Sequence, residues 1–237
     1  MLGTERYQIR VGTHMLNRRR PPVREAASGS AIKRGLDIVA AGIALIVLSP
    51  LVAIFALMAL IAQGPPAFFK QDRVGRGGKM FALVKLRTMT NLRNSSGSLL
   101  PDDERLTATG RFFRRFRIDE LPSFVCVLTG KMSLVGPRPL PPYVLETMAG
   151  SGERHLVRPG FTGLAQVCGN TLLTNEEKLA LDLFYVRRWS LAKDMHILLK
   201  TVPTIILGET RDETLIKLAM MEREPRASTP HRRDSQP

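Results

Sequence analysis

Residues 38–62 form an apolar run long enough to cross a bilayer, and Ser49-Pro50 breaks it near its middle. At about 1.5 Å rise per residue, a helix of that length matches a hydrocarbon core of roughly 30 Å. Proline there removes a backbone hydrogen bond and crowds the preceding turn, so the helix bends. Ser49 can hydrogen-bond a freed carbonyl, which lets the break persist in lipid. Basic residues flank both ends, Lys33 and Arg34 before the run and Lys70, Arg73, Arg76 and Lys79 after it. Positive flanks favour the cytoplasmic side, and a single straight span would leave one basic end on the opposite face. The expected structure is therefore a re-entrant hairpin that bends at Ser49-Pro50 and returns to the face it left.

The anchor, residues 31–62, divides the chain. Residues 1–30 are rich in Arg, Pro, Gly and Ser, include Arg18-Arg19-Arg20-Pro21-Pro22, and are expected to be a disordered basic tail drawn to anionic lipid. They are not read as a secretory signal, because the apolar run begins late and no small-residue cleavage site follows it. Residues 63–210 are read as a small, mainly helical catalytic domain with a few short strands (α+β). Residues 211–237 are read as a short helix and a disordered tail. A formal net charge of +14 over 237 residues points to anionic partners. Only 6% of residues are aromatic, which argues against a stacking surface for nucleic acid. Cys126 and Cys168 have no Cys or His at metal-binding spacing, so free thiols in a reducing compartment are expected.

Within the domain, residues 80–87 alternate. Met80, Ala82, Val84 and Leu86 form one apolar face, and Lys85 and Arg87 fall together on the other. A strand that brings two cations to one side suits a phosphate, and it equally suits a solvated surface. Thr174-Asn175-Glu176-Glu177 reads as a capping box, followed by a helix with Leu179, Leu183 and Val186 on one face. Arg187-Arg188-Trp189 has the cation-and-indole character of a bilayer interface. A second amphipathic helix, starting near Ser190 and bent at Pro203, is expected to pack in the core or lie against the membrane surface.

The chemistry centres on residues 118–139, IDELPSFVCVLTGKMSLVGPRP. Pro122 belongs in a first helical turn, which puts Asp119 and Glu120 at the N-terminus of a helix running to about Leu128. Alone, such a pair would be a helix cap. Beside it, however, Arg111, Arg114, Arg115 and Arg117 alternate with Phe112, Phe113 and Phe116. Guanidinium groups bind phosphate in bidentate fashion and keep nearby carboxylates ionised. A carboxylate so placed can attack phosphorus or hold Mg²⁺ together with phosphate oxygens. Gly136-Pro137-Arg138-Pro139 fixes Arg138 in a rigid turn, and Arg158-Pro159-Gly160-Phe161-Thr162-Gly163 is a second loop of that kind.

The order KRGLD, a Ser-Pro-broken apolar helix, FFKQDRVG, KLRTM, IDELP, MSLVGPRP, RPGFTGLAQV and SLAKDMHILLKT closely resembles the bacterial sugar transferases. These are monotopic polyprenyl-phosphate phosphoglycosyl transferases that begin exopolysaccharide or glycoconjugate assembly. The likeness runs from about Lys33 to Leu207 and leaves out both tails. It implies transfer of a sugar 1-phosphate from a UDP-sugar to polyprenyl (undecaprenyl) phosphate, with Mg²⁺, at the cytoplasmic face of the bacterial inner membrane. Asp119 would be the nucleophile, forming an aspartyl-phosphosugar and expelling UMP. Glu120 would be its partner in the dyad and in metal binding. Arg114 would meet phosphate, Arg138 and Arg158 the nucleotide sugar, and Lys85 and Arg87 would line the same anionic pocket. Ser49 and Pro50 would set the membrane bend, amphipathic interfacial helices would surround the domain, and a homodimer is compatible with the likeness.

The chain departs from the family's pattern in places: Ser123 for a common Gln, Cys126 for a frequent Asn, Lys131 for an acidic residue, and Cys168 and Asn170 near the second loop. None removes the carboxylate pair, but losing an Arg at position 170 leaves the sugar open. Two other functions fit the residues, a membrane-bound metal-dependent phosphohydrolase and a non-enzymatic basic membrane adaptor.

Overall fold

Residues 31–223 are described by the structure, a computed structural model, and the tails expected to be disordered lie outside that range. The chain opens with helix α1 (Ala31–Gln63), which contains Pro50. The Ser49 hydroxyl donates to the Ile46 carbonyl at 2.9 Å. That carbonyl sits four residues before Pro50, so it is the one the missing proline N–H leaves without its helical donor. Among the described residues α1 alone is long and apolar enough to cross a membrane. Most of its large apolar side chains are exposed, and its buried residues are Asp37, Ala41, Ala59 and Gln63.

Those four residues meet the rest of the chain at two places. Ala41 shares a buried cluster with Phe81, Leu83, Cys126, Val127 and Met132. Ala59 shares another with Leu86 and Phe113, and Phe55 packs edge-on against Phe113 at 5.3 Å. The first turns of α1 are held by polar contacts. Lys33 Nζ lies 2.5 Å from Asp194 and donates to the Val135 carbonyl, while Asp37 accepts from Ser133 Oγ and the Leu134 N–H.

Strands β1 (Phe68–Val74) and β2 (Met80–Leu86) form an antiparallel pair in which Phe69 faces Lys85 and Arg73 faces Phe81. The alternation of β2 is as read, but both faces are buried in part, Leu86 on the apolar face and Phe81 and Leu83 on the face that carries Lys85. Phe81 and Leu83 are buried, and Met80 is exposed. The face carrying Lys85 turns inward because Phe81 and Leu83 fill the cluster under α1 and Lys85 finds a carboxylate there.

Helix α2 (Ala108–Arg115) starts at Thr107, whose hydroxyl accepts from the Gly110 N–H and from Gln63 at the end of α1. A 3₁₀ turn over Ile118–Ser123 continues directly into α3 (Phe124–Leu128). Strand β3 (Ser133–Val135) runs parallel to β4 (Gly160–Thr162), and α4 (Leu164–Val167) follows. Helix α5 (Asn175–Arg187) carries both halves of the capping box at Thr174 and Glu177. It is buried on nearly every side from Leu179 to Val186, which makes it the central core helix rather than an amphipathic one. Helix α6 (Leu191–Leu207) buries Ile197 and exposes Leu199, Val202, Ile206 and Leu207. Helix α7 (Glu213–Arg223) packs Ile216 and Ala219 into the core around α5. The architecture is mainly helical with two small sheets, in line with the expected class.

Within Arg187-Arg188-Trp189, Arg187 pairs with Glu153 and the Trp189 Nε1–H donates to Asp194 at 3.0 Å, while Arg188, whose side chain is exposed, pairs with Glu222.

Candidate active site

The 3₁₀ turn places Asp119 and Glu120 side by side, 9% and 8% exposed, at the floor of a cleft of about 990 Å³. Neither side chain caps the helix. Arg117, just before them, takes a left-handed backbone conformation (φ 54°) that reverses the chain out of α2.

The two carboxylates have different surroundings. Glu120 Oε1 accepts from Lys85 Nζ at 2.9 Å and from Arg138 Nη2 at 2.5 Å, and Arg117 Nη1 lies 3.6 Å from Oε2. Burial alone would raise the Glu120 carboxyl, but Arg138, Lys85 and Arg117 together hold it far below the usual carboxylate range. Asp119 receives no side-chain hydrogen bond among the described residues. Burial first, and then the charge of Glu120, push its carboxyl up to about 6 against the pull of Lys85, Arg114 and Arg138. Two adjacent carboxylates with separated proton affinities are a recurring mark of catalytic pairs.

The Arg138 guanidinium is aimed by the backbone that carries it. Gly136 N–H donates to the Thr162 carbonyl and Gly160 N–H to the Pro137 carbonyl, both at 2.9 Å. A Cβ on Gly160 would fall 2.1 Å from the Gly136 nitrogen, so glycine is required for this approach. Arg154, in a buried ion pair with Asp182 at 2.7 Å, also donates to the Arg138 carbonyl.

Lys85, Arg87, Arg114 and Arg138 all line the cleft with the carboxylate pair. Arg114 Nε donates to the Thr88 hydroxyl at 3.0 Å, and Arg87 donates to the Pro65 carbonyl at 2.8 Å. Arg158 does not line the cleft. Its Nε donates to the Gly130 carbonyl, and its neighbours are Arg34 and Arg76. The loop it opens reaches the site through the main chain of Gly160 and Thr162, not through its cation.

Arg73 and Glu209 are among the cleft residues that the sequence does not single out. Arg73 was read only as a flanking charge, yet it lines the cleft and donates to the Pro139 carbonyl at 3.1 Å. Burial, and then Arg138, lower its pKa to about 10. Strand alternation could have found it, since Phe69, Gln71 and Arg73 share one face of β1 with Lys85. Glu209, beyond the end of α6, carried no such signal.

No group of three or more His, Cys, Asp or Glu residues is placed to hold a metal among the described residues. Mg²⁺ needs only one or two carboxylates when phosphate oxygens complete its shell; of the expected pair, Asp119 has oxygens free of hydrogen bonds from the described residues, while Glu120 already meets Lys85, Arg117 and Arg138.

An acidic pair ringed by cations, beside an exposed apolar helix, defines a class: an enzyme that handles phosphorylated substrates next to a lipid phase. The particular family follows from comparison. The chain belongs to the bacterial sugar transferase family, whose model matches residues 28–208. It is 44% identical to an uncharacterized sugar transferase, EpsL, of Bacillus subtilis, over 77% of this chain and 91% of the relative. It is 39% identical to a UDP-glucose:undecaprenyl-phosphate glucose-1-phosphate transferase of Caulobacter vibrioides, over 73% and 69%. A UDP-N-acetylgalactosamine-undecaprenyl-phosphate N-acetylgalactosaminephosphotransferase of Aeromonas hydrophila is 37% identical, over 75% of this chain and 44% of the relative. The protein is thus a phosphoglycosyl transferase, and the non-enzymatic adaptor reading falls away.

Proposed function

We propose that this enzyme transfers a sugar 1-phosphate from a UDP-sugar to undecaprenyl phosphate as the first step of exopolysaccharide or glycoconjugate assembly, through a covalent intermediate on Asp119. The observation that carries the reading is the contrast within the carboxylate pair. Glu120 is engaged by three cations, whereas Asp119 faces the cleft with its oxygens free of hydrogen bonds from the described residues. A nucleophile has to keep its lone pairs available, and a neighbour can be spent on organising the site.

In the first step an Asp119 oxygen forms a bond to the sugar-bearing phosphorus. The bond from that phosphorus to the bridging oxygen breaks, and UMP leaves with the electron pair. In the second step an oxygen of undecaprenyl phosphate attacks the same phosphorus, which restores the Asp119 carboxylate and gives the sugar-diphosphate lipid. Arg138, Lys85 and Arg114 hold phosphate oxygens and neutralise charge as it moves between them. Arg73, on the same wall, adds a further cation. Bound Mg²⁺, held by Asp119 and Glu120, would supply charge neutralisation on the diphosphate.

The exposed apolar face of α1 suits a bilayer, at the cytoplasmic face of the inner membrane where both substrates meet. A fold back at Ser49-Pro50 is supported by the two packing sites of α1. Ala41 shares a cluster with Leu83, and Ala59 shares one with Leu86 of the same strand. Eighteen residues of straight helix span about 27 Å, but three residues of strand span only about 10 Å.

The test incubates purified protein with Mg²⁺, undecaprenyl phosphate and a panel of UDP-sugars, and follows UMP release and the lipid product. Wild type should release UMP with at least one donor, and Asp119→Ala should not. Equal rates for the two proteins with every donor would end the covalent reading. Sugar phosphate release that needs no lipid acceptor would favour a hydrolase. For the anchor, single cysteines at the two flanks of α1 should be labelled from the same side of the membrane, and labelling from opposite sides rules the bend out.

A further inference from the structure

The far wall of the cleft is built on a different principle from its cationic floor. Among the described residues, two that are not glycine hold positive φ, Arg117 at 54° and Asn170 at 41°. An L side chain in that region is strained and persists only where its surroundings enforce it. Both residues reach one carboxylate. Glu209 accepts from Asn170 Nδ2 at 2.5 Å, from the Thr171 N–H at 3.0 Å and from the Thr171 hydroxyl, and Arg117 Nη2 lies 3.8 Å from its Oε1. The phosphate chemistry described above assigns no part to Glu209, whose carboxylate is taken up by Asn170, Thr171 and Arg117.

What Glu209 fixes is a wall of hydrogen-bond acceptors. Asn170 directs its N–H at Glu209 and keeps its amide oxygen. The Thr171 hydroxyl donates to Glu209, and the Thr204 hydroxyl, also lining the cleft, donates to the Lys200 carbonyl at 2.8 Å. Each hydroxyl is left with lone pairs to offer. Leu172, 51% exposed, adds apolar surface beside them. Such a wall suits a neutral group rich in O–H donors and C–H faces, which describes a sugar ring. It also stands at the right place, since a single guanidinium, that of Arg117, spans from Glu120 to Glu209.

Resting on the transferase reading, we infer that the Asn170–Thr171–Leu172 turn is the sugar subsite that selects the donor, and that Glu209 is its positioning residue. Asn170→Gly is the informative variant. Glycine adopts positive φ without strain, so the backbone is kept and only the amide is lost. Glu209→Gln is the second variant, keeping an acceptor for Thr171 but losing the charge that holds Arg117.

Wild type and both variants are assayed with UDP-glucose, UDP-galactose, UDP-N-acetylglucosamine and UDP-N-acetylgalactosamine. UMP, which carries the nucleoside and one phosphate but not the sugar to be transferred, serves as inhibitor. In Asn170→Gly the ratio of kcat/KM between at least two donors should change tenfold or more, with UMP inhibition within twofold of wild type. Glu209→Gln should reorder the donors in the same sense, with KM rising more than kcat falls. An equal loss for all four donors, or a parallel loss of UMP inhibition, overturns the subsite. If wild type turns over no donor, the transferase reading fails, and calorimetric titration decides the subsite separately. A UDP-sugar that binds wild type more tightly than UDP, with the advantage lost in Asn170→Gly, supports it; equal binding of UDP and all four UDP-sugars to wild type overturns it.

Discussion

Lys85 Nζ lies 2.9 Å from Glu120 Oε1, so a strand lysine and a turn carboxylate 35 residues apart form one side of the buried carboxylate pair. Burial lowers the lysine's pKa, and the charge of Glu120 partly restores it. The same lysine also draws down the Asp119 carboxyl. It therefore acts on both members of the pair, through a contact with one and through its field on the other.

Removing it should be felt twice. Lys85→Met keeps most of the side-chain volume and leaves Glu120 with Arg138 and Arg117. Loss of a preorganised cation at the reacting phosphate should lower kcat/KM roughly a hundredfold or more. The acidic limb of the pH profile should also move to higher pH, because Asp119 loses one of the charges that favour its ionisation. A rate loss with an unmoved pH profile would place Lys85 on substrate only.

Asp119 links activity to stability with opposite signs. In the proposed role of nucleophile it must be ionised, so kcat/KM should rise as pH increases through about 6. For stability, its folded carboxyl titrates near 6 against an unfolded value of 3.8, so between those values the native state binds more protons than the unfolded one. Stability from this group is full below about pH 4 and is lost as pH rises through about 6. Asp119→Asn should thus be inactive yet more stable than wild type at pH 7.5, by on the order of 2–3 kcal/mol. The gain should vanish near pH 4, which thermal melts across the pH range would show. A variant no more stable at pH 7.5 would mean that Asp119 is not a strained, buried charge.

Gly160→Ala tests how Arg138 is aimed. The new Cβ would meet the Gly136 nitrogen at 2.1 Å and its carbonyl oxygen at 2.6 Å, so the two chains must part. Overpacking of this kind costs about 1–3 kcal/mol, visible as a fall in Tm. Because Arg138 follows Gly136 by two residues, kcat/KM should fall well beyond what the loss of folded protein explains. Full activity in the folded fraction would show that the close approach serves stability alone.

Several features were legible in the sequence because they depend on neighbours along the chain. The long apolar helix around Pro50, the capping box at Thr174 and Glu177, and the carboxylates ahead of Pro122 each follow from local backbone chemistry. That the Lys85 face of β2 is buried as well was not legible. Alternation says which residues share a face, but only the cluster under α1 turns Phe81 and Leu83 inward while Leu86 packs against Ala59. Arg158 misled for a related reason, since a motif marks a loop without saying whether its cation or its backbone does the positioning.

The sequence by itself determined a membrane-seeking helix, a mainly helical domain and an acidic pair among arginines, because propensity, periodicity and charge are properties of short segments. Only the tertiary structure decided that Glu120 is held by Lys85, Arg117 and Arg138 while Asp119 is left open. It likewise decided that Lys33 closes on Asp194 across 161 residues and that Glu209 joins Arg117 to Asn170. Coulomb attraction and burial act through space, and an acidic side chain is left open or clamped according to which cations the fold brings within about 4 Å of it.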